Sequence, residues 1–184
     1  MFTEKWLITR AKTDKNAFME LYNIYYPKLF SFLLVRTRNR ELSEDITQET
    51  FVKAISALKN FQYKGCAFGS WLFKIAQNEL ISNWRKSGRE LAVAPEEMEK
   101  TAGEVASADY GLIFKEATEE EGQRLKKLLG ALDQLSPEEK NIVTMKYFSE
   151  LSYKEISCFI KKRPTALAVE LHRTLKKLRE ILEK

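Results

Sequence analysis

Cysteine, histidine and proline are scarce in this chain, and each scarcity removes a class of function. Of 184 residues, two are cysteine, one is histidine and four are proline. Cys66 and Cys158 lie far apart and form neither a C-x-x-C pair nor a ligand cluster with His172. A disulfide framework is therefore not expected, and a reducing, cytoplasmic setting fits the composition. Zinc lacks ligands at workable spacing, so no metal is expected. One histidine with scattered partners assembles no Ser/His/Asp or Cys/His set, and there is no glycine-rich phosphate loop. The chain reads as a non-enzyme without a cofactor. No apolar run approaches the roughly eighteen residues of a membrane span. The N-terminal MFTEKWLITRAK has too short an apolar core for a signal peptide. No stretch alternates apolar and polar residues as a half-buried strand would.

What is present is helical periodicity and segregated charge. Residues 1–89 carry a net +7 (15 basic, 8 acidic), residues 90–122 a net −8 (2 and 10) and residues 123–184 a net +6 (14 and 8). A basic, acidic, basic order suits two contacts with a polyanion, because Lys and Arg release counterions from phosphate backbones. Solvated basic helix faces would give the same totals.

The expected fold is all-α, with two small helical domains joined by an acidic linker. Residues 14–38 read as a helix capped by Thr13 or Asp14 and divided or kinked at Pro27. A second helix is expected from Ser43 to about Leu58, then a loop over 61–70 and a helix over 70–86. Residues 88–122 hold four of the seven glycines, Pro95 and the acidic excess. They read as a linker with a short helix near 112–121. In the C-terminal block Ser136-Pro137-Glu138-Glu139 and Ser152-Tyr153-Lys154-Glu155 are capping-box starts. They imply helices at about 124–134, 137–148, 152–160 and 164–182. The last two, joined by Lys161-Lys162-Arg163, form a helix-turn-helix candidate.

Three faces carry candidate chemistry. On 71–86, WLFKIAQNELISNWRK, one arc is apolar. The other gathers Trp71, Lys74, Gln77, Asn78, Ile81, Trp84 and Arg85. Indoles stack on unpaired bases, amides bond base edges and cations neutralise phosphates, so this arc suits single-stranded DNA. The alternative makes Trp71 a core-boundary residue and Trp84 a capping aromatic. On 43–58, Asp45, Gln48, Glu49 and Val52 share an arc that is either a solvated acidic face or a docking face for a basic helix. On the last helix, Leu167, Leu171, Leu175 and Leu178 form the core seam. Thr165, Ala168, Val169, His172, Arg173 and Lys176 face outward. Small residues there offer thymine-methyl contact, while the flanking cations meet phosphates.

The order of these motifs resembles a bacterial RNA polymerase sigma factor of the extracytoplasmic-function type. FMELYNIYYPKLFSFLL (18–34), LSEDITQETFVKA (42–54) and WLFKIAQNELISNWRK (71–86) resemble that family's region 2. LDQLSPEEKNIVTMKYFSELSYKEIS (132–157) and LHRTLKKLREIL (171–182) resemble its region 4. The resemblance covers about 16–87 and 123–183. It implies a region 2-like domain over 1–88, a linker over 89–122 and a region 4-like domain over 123–184. Asp45, Gln48, Glu49 and Val52 would bind the β′ subunit of core polymerase, with β a further contact. Lys64, in the 61–70 loop, Trp71, Lys74, Gln77, Asn78, Trp84, Arg85 and Lys86 would hold a melted minus-ten element with one base extruded. Lys161, Lys162, Arg163, Thr165, Ala168, Val169, His172, Arg173 and Lys176 would meet the minus-thirty-five element. The resemblance leaves room for an anti-sigma partner and implies a monomer when free, with no membrane insertion. One departure stands out. Ala168 and Glu170 occupy a reading helix where Lys or Arg is common, and Lys-Lys-Arg-Pro replaces the usual Gly and Ser cap. That favours phosphate anchoring over sequence readout. Two rivals remain: a stand-alone helix-turn-helix regulator, and a sigma-like interaction module without promoter activity.

Overall fold

The structure, a computed structural model, describes residues 4–63, 66–86 and 119–183. Among these the chain forms α1 (Glu4–Ala11), α2 (Lys15–Thr37), α3 (Arg40–Leu58) and α4 (Phe68–Lys86), then α5 (Glu119–Asp133), α6 (Pro137–Val143), α7 (Tyr153–Ile160) and α8 (Pro164–Leu182). A π-helical turn, Thr144–Phe148, continues α6. No strand occurs among the described residues, as the lack of alternation requires.

The caps explain most boundaries. Asp14 accepts from the Asn16 amide at 2.9 Å and starts α2. Pro27 does not divide this helix. Pro27 and Asn23, whose carbonyl it leaves unbonded, both face solvent, so water meets the lost bond. The second boundary also differs from expectation. Asn39, not Ser43, caps α3, accepting from the Leu42 amide at 2.9 Å. Ser43 lies one turn inside, buried, with its hydroxyl donating to the Asn39 carbonyl at 2.6 Å. Arg38 takes the left-handed conformation (φ 56°) that lets α2 reverse into α3. Both C-terminal capping boxes form: Ser136 and Ser152 accept from the amides of Glu139 and Glu155 at 3.3 Å, and each Glu carboxylate accepts from its Ser amide at 2.8 Å. α5 starts at Glu119, five residues ahead of the expected helix; most of the expected linker and its 112–121 helix lie outside the described residues. α1 had no counterpart in the sequence reading.

The two bundles share one continuous apolar core. Leu21, Leu29, Phe32, Leu72, Phe73 and Leu80 fill the first, and Leu132, Ile142, Met145, Ile156 and Leu167 the second. Phe159 of α7 bridges them, edge-on to Phe32 with ring centroids 6.3 Å apart. Polar contacts reinforce the seam. Arg36 donates to the Asn141 side-chain oxygen, and Ser70 donates through Oγ to the Glu155 carbonyl at 2.8 Å. Arg38, with its side chain 1% exposed, donates to the Leu129 carbonyl at 3.1 Å and to Asp133 at 2.7 Å. Asp133 also takes Lys140 at 2.9 Å. Burial pushes the Arg38 guanidinium down from its usual value, and Asp133 opposes that shift.

Cys66 and Cys158 are joined as a disulfide across this seam, their Cα atoms 5.7 Å apart. This corrects the expectation of two unpaired cysteines. Their separation of 92 residues hid the pairing, which exists only because α7 docks beside the loop that precedes α4.

Candidate nucleic-acid interface

α3 presents its candidate face whole. Asp45, Gln48, Glu49 and Val52 recur at helical spacing, and all four are exposed. Val52 is 58% exposed and Ile55, on the same side, 45%. Val52 and Ile55 thus form a small apolar centre rimmed by carboxylates and an amide, a composition that protein-docking patches share. Lys53, beside this face, ties α3 to α4 through Glu79.

On α4 the structure splits the expected set. Lys74, Asn78, Arg85 and Lys86 are exposed, while Trp71 and Gln77 are half-buried. Trp71 stacks obliquely on Phe61 and Phe68, with centroids 4.9 and 5.4 Å away, which makes it part of the wall of the 61–70 loop. Trp84 is 3% exposed and belongs to the core cluster. The reading that put both indoles on an open arc is corrected to that extent. Helical spacing fixes a side chain's direction on its own helix, but not what another element lays over it. Lys64 lies outside the described residues.

The element laid over α4 is the second bundle. Lys74 Nζ sits 5.5 Å from the centre of the Phe159 ring. Lys74, Gln77, Ile81 and Trp84 line one side of a cleft whose other side is Pro137, Glu138, Asn141, Phe159 and Ile160. At about 290 Å³, it is no larger than the smallest of the roughly 300–1,000 Å³ pockets that hold small ligands. While the bundles are docked, the Lys74, Gln77, Ile81 and Trp84 side of α4 faces the second bundle, and Asn78, Arg85 and Lys86 stay exposed.

The outer face of α8 is open. Thr165, Ala168, Val169, His172, Arg173 and Lys176 are all exposed, as are Lys161 and Arg163 in the turn. Lys162 is different. Its ammonium bonds Glu138 and Glu170, each at 2.8 Å, and those carboxylates raise its pKa. Glu170 of α8 thus has a local partner. Lys161 ends α7 at φ 62°, a conformation glycine adopts more cheaply. The residues sequence reasoning missed are those of the seam: Arg36, Arg38, Gly69, Asp133 and the cysteine pair. Only an even cysteine count hinted at any of them.

Residues 21–90 match the family model for Sigma-70 region 2, and residues 125–178 that for Sigma-70 region 4. The chain belongs to the sigma-70 family. Within it, the similarity runs to extracytoplasmic-function sigma factors. Among the relatives, BldN of Streptomyces coelicolor is 29% identical over 96% of this chain and 64% of that protein. SigM of Bacillus subtilis is 27% identical over 75% and 78%. CarQ of Myxococcus xanthus is 29% identical over 91% and 90%. The chain therefore spans just under two thirds of the Streptomyces relative. The fold matches that of the sigma factor RpoE of Bartonella quintana, solved with the anti-sigma factor NepR (TM-score 0.62, 23% identity, 90% and 96% of the two chains). It also matches CnrH, solved with the cytosolic domain of CnrY (TM-score 0.61, 19% identity, 98% and 97%). As a sigma factor of this type, the chain carries region 2 in α2–α4 and region 4 in α5–α8. No helix among the described residues is long and apolar enough to cross a membrane.

Proposed function

We propose that this sigma factor binds core RNA polymerase, directs it to a class of promoters and helps melt the DNA, acting in the cytoplasm and without catalysis of its own. The observation that carries the reading is the presence of region 2 and region 4, in order, in one chain. Residues 1–88 would supply polymerase binding and minus-ten recognition, residues 123–184 minus-thirty-five binding, and 89–122 the connection. Asp45, Gln48, Glu49 and Val52 would dock on β′, a role that their joint exposure and apolar centre support. Lys74, Gln77, Asn78, Arg85 and Lys86 would line the melted strand, with Trp71 and Trp84 shaping the wall behind it. Lys161, Arg163, Arg173 and Lys176 would anchor phosphates, and Thr165, Ala168, Val169 and His172 would face the groove. Anti-sigma binding is a further role, supported by the partners of the two structural relatives.

Binding assays separate the faces. Asp45→Ala should weaken association with core polymerase and leave region 4 contacts intact. Lys161→Ala with Arg173→Ala should leave polymerase affinity unchanged and weaken promoter protection on all sequences alike. Unchanged polymerase affinity for Asp45→Ala would remove the α3 role. Unchanged footprints for the double variant would remove the anchoring role.

A further inference from the structure

The cysteine pair joins the two parts of the protein whose separation the promoter reading requires. Cys66 lies in the loop that leads into α4, and Cys158 lies in α7, the first helix of the helix-turn-helix. Both are half-buried, at the rim of the seam rather than deep in the core. The neighbour of Cys158, Phe159, is the residue that packs on Lys74 and Phe32 and closes the cleft over α4. A bond at Cys158 therefore fixes the helix that faces the Lys74, Gln77 and Trp84 side of the candidate minus-ten face. The other contacts described across the seam, among them packing, hydrogen bonds, the Arg38–Asp133 ion pair and the Lys74–Phe159 contact, are reversible, whereas the disulfide is covalent.

We propose that Cys66 and Cys158 form a redox-modification site that latches region 4 over the minus-ten face of α4 when oxidised and frees it when reduced. The inference rests on the reading of α4 as the minus-ten face. The oxidant class is a low-molecular-weight disulfide. One protein thiolate attacks it, forming a mixed disulfide and expelling one small thiolate. The second protein thiolate then attacks the protein sulfur of that mixed disulfide and expels the second small thiolate. The protein gives up two electrons, the oxidant becomes two thiols, and the two protons end on them. A dithiol reductant reverses both steps. Disulfides in a reducing compartment are typically transient and redox-sensing, which suits a latch better than a permanent brace. Docking places the sulfurs together, so bond formation selects the closed arrangement from those available to the chain. The α3 patch lies outside the seam and stays exposed. The latched protein should therefore still bind core polymerase while failing to open DNA.

The test uses the full chain with bacterial core polymerase on a genomic promoter pool. One sample is kept in dithiothreitol and one is equilibrated with oxidised glutathione, and intact mass under non-reducing conditions records the loss of two hydrogens. Cys158→Ser runs beside them. The latch predicts that the oxidised protein yields about tenfold fewer specific starts, or fewer still, than the reduced one. It should bind polymerase equally well, and Cys158→Ser should be active in both conditions. An oxidised protein of confirmed mass that starts as well as the reduced one overturns the latch. So does a mass that glutathione disulfide leaves without the internal bond. A reduced sample and a Cys158→Ser variant that both stay silent would instead defeat the promoter reading, and the latch with it.

Discussion

Gly69 shows how much one residue decides at the seam. A Cβ there would lie 2.7 Å from Glu155 Oε1 and 2.9 Å from Tyr25 Cε1. Glu155 is held by its capping box, and the Tyr25 ring is buried with its hydroxyl donated to Glu4. Gly69→Ala in a helix would ordinarily gain about 0.5–1 kcal/mol. Here it should lower the thermal midpoint and loosen α7 from α4, seen as faster amide exchange in both. A higher midpoint with unchanged exchange would contradict the close packing. Lys161 gives the opposite case. Its left-handed backbone costs what glycine avoids, so Lys161→Gly should stabilise by about 1 kcal/mol in chemical denaturation. The sequence showed that glycine was missing from this turn. It could not show that Gly69 sits under Glu155, because that contact joins residues 86 positions apart in the chain.

At the scale of the element, local chemistry was largely legible. Ser136 and Ser152 announced α6 and α7 to within a residue, since a capping box satisfies its own donors whatever the tertiary surroundings. Ser43 misled because two capping residues lie four apart; Asn39 won, and Ser43 turned inward to Thr37 at 2.7 Å. Asp14 carries a prediction of pH dependence. The hydrogen bond from Arg10 and the bond from the Asn16 amide hold its carboxyl below the ordinary 3.8. A depressed folded-state pKa means its stabilising effect is complete above 3.8 and is lost as pH falls through the folded value. Denaturant midpoints of the wild type should therefore drop in that acid range. Asp14→Asn, which can still cap, should remove this part of the slope. A variant with the same acid slope as wild type would show that other carboxylates carry it. The face of α4 was legible in composition and not in exposure. Gln77 and Trp84 point where the wheel puts them, and region 4 covers them.

At the scale of the whole molecule, the docked pair of bundles is the feature no window of sequence contains. The Arg38–Asp133 pair ties the bundles electrostatically, and Lys140, buried in the same bundle as Asp133, shares that carboxylate. Asp133→Ala would remove the carboxylate that both share, leaving Arg38 its bonds to the Val35 and Leu129 carbonyls. Removing a partner from a fully buried pair costs roughly 3–5 kcal/mol. Asp133 is 37% exposed, so solvent screening brings the expected loss to about 2–3 kcal/mol. Denaturant titration measures it, and a change under half a kilocalorie, ~0.5 kcal/mol, would mean the triad adds little to docking. The fold class was readable from periodicity and capping, and the order of the two regions from the resemblance of their motifs to the sigma family. Their mutual packing was not, because it depends on surfaces that helical phase describes only one element at a time. The same packing leaves the α3 patch and the outer face of α8 open while it sets the second bundle against one side of α4.

The most direct test is start-site mapping in a reconstituted reaction with bacterial core polymerase, a genomic promoter pool and the full-length protein under reducing conditions. The account predicts discrete starts that vanish when the protein is omitted, and that Asn78→Ala reduces them without lowering polymerase affinity. Binding to duplex DNA in the absence of polymerase, with no starts in its presence, would contradict it.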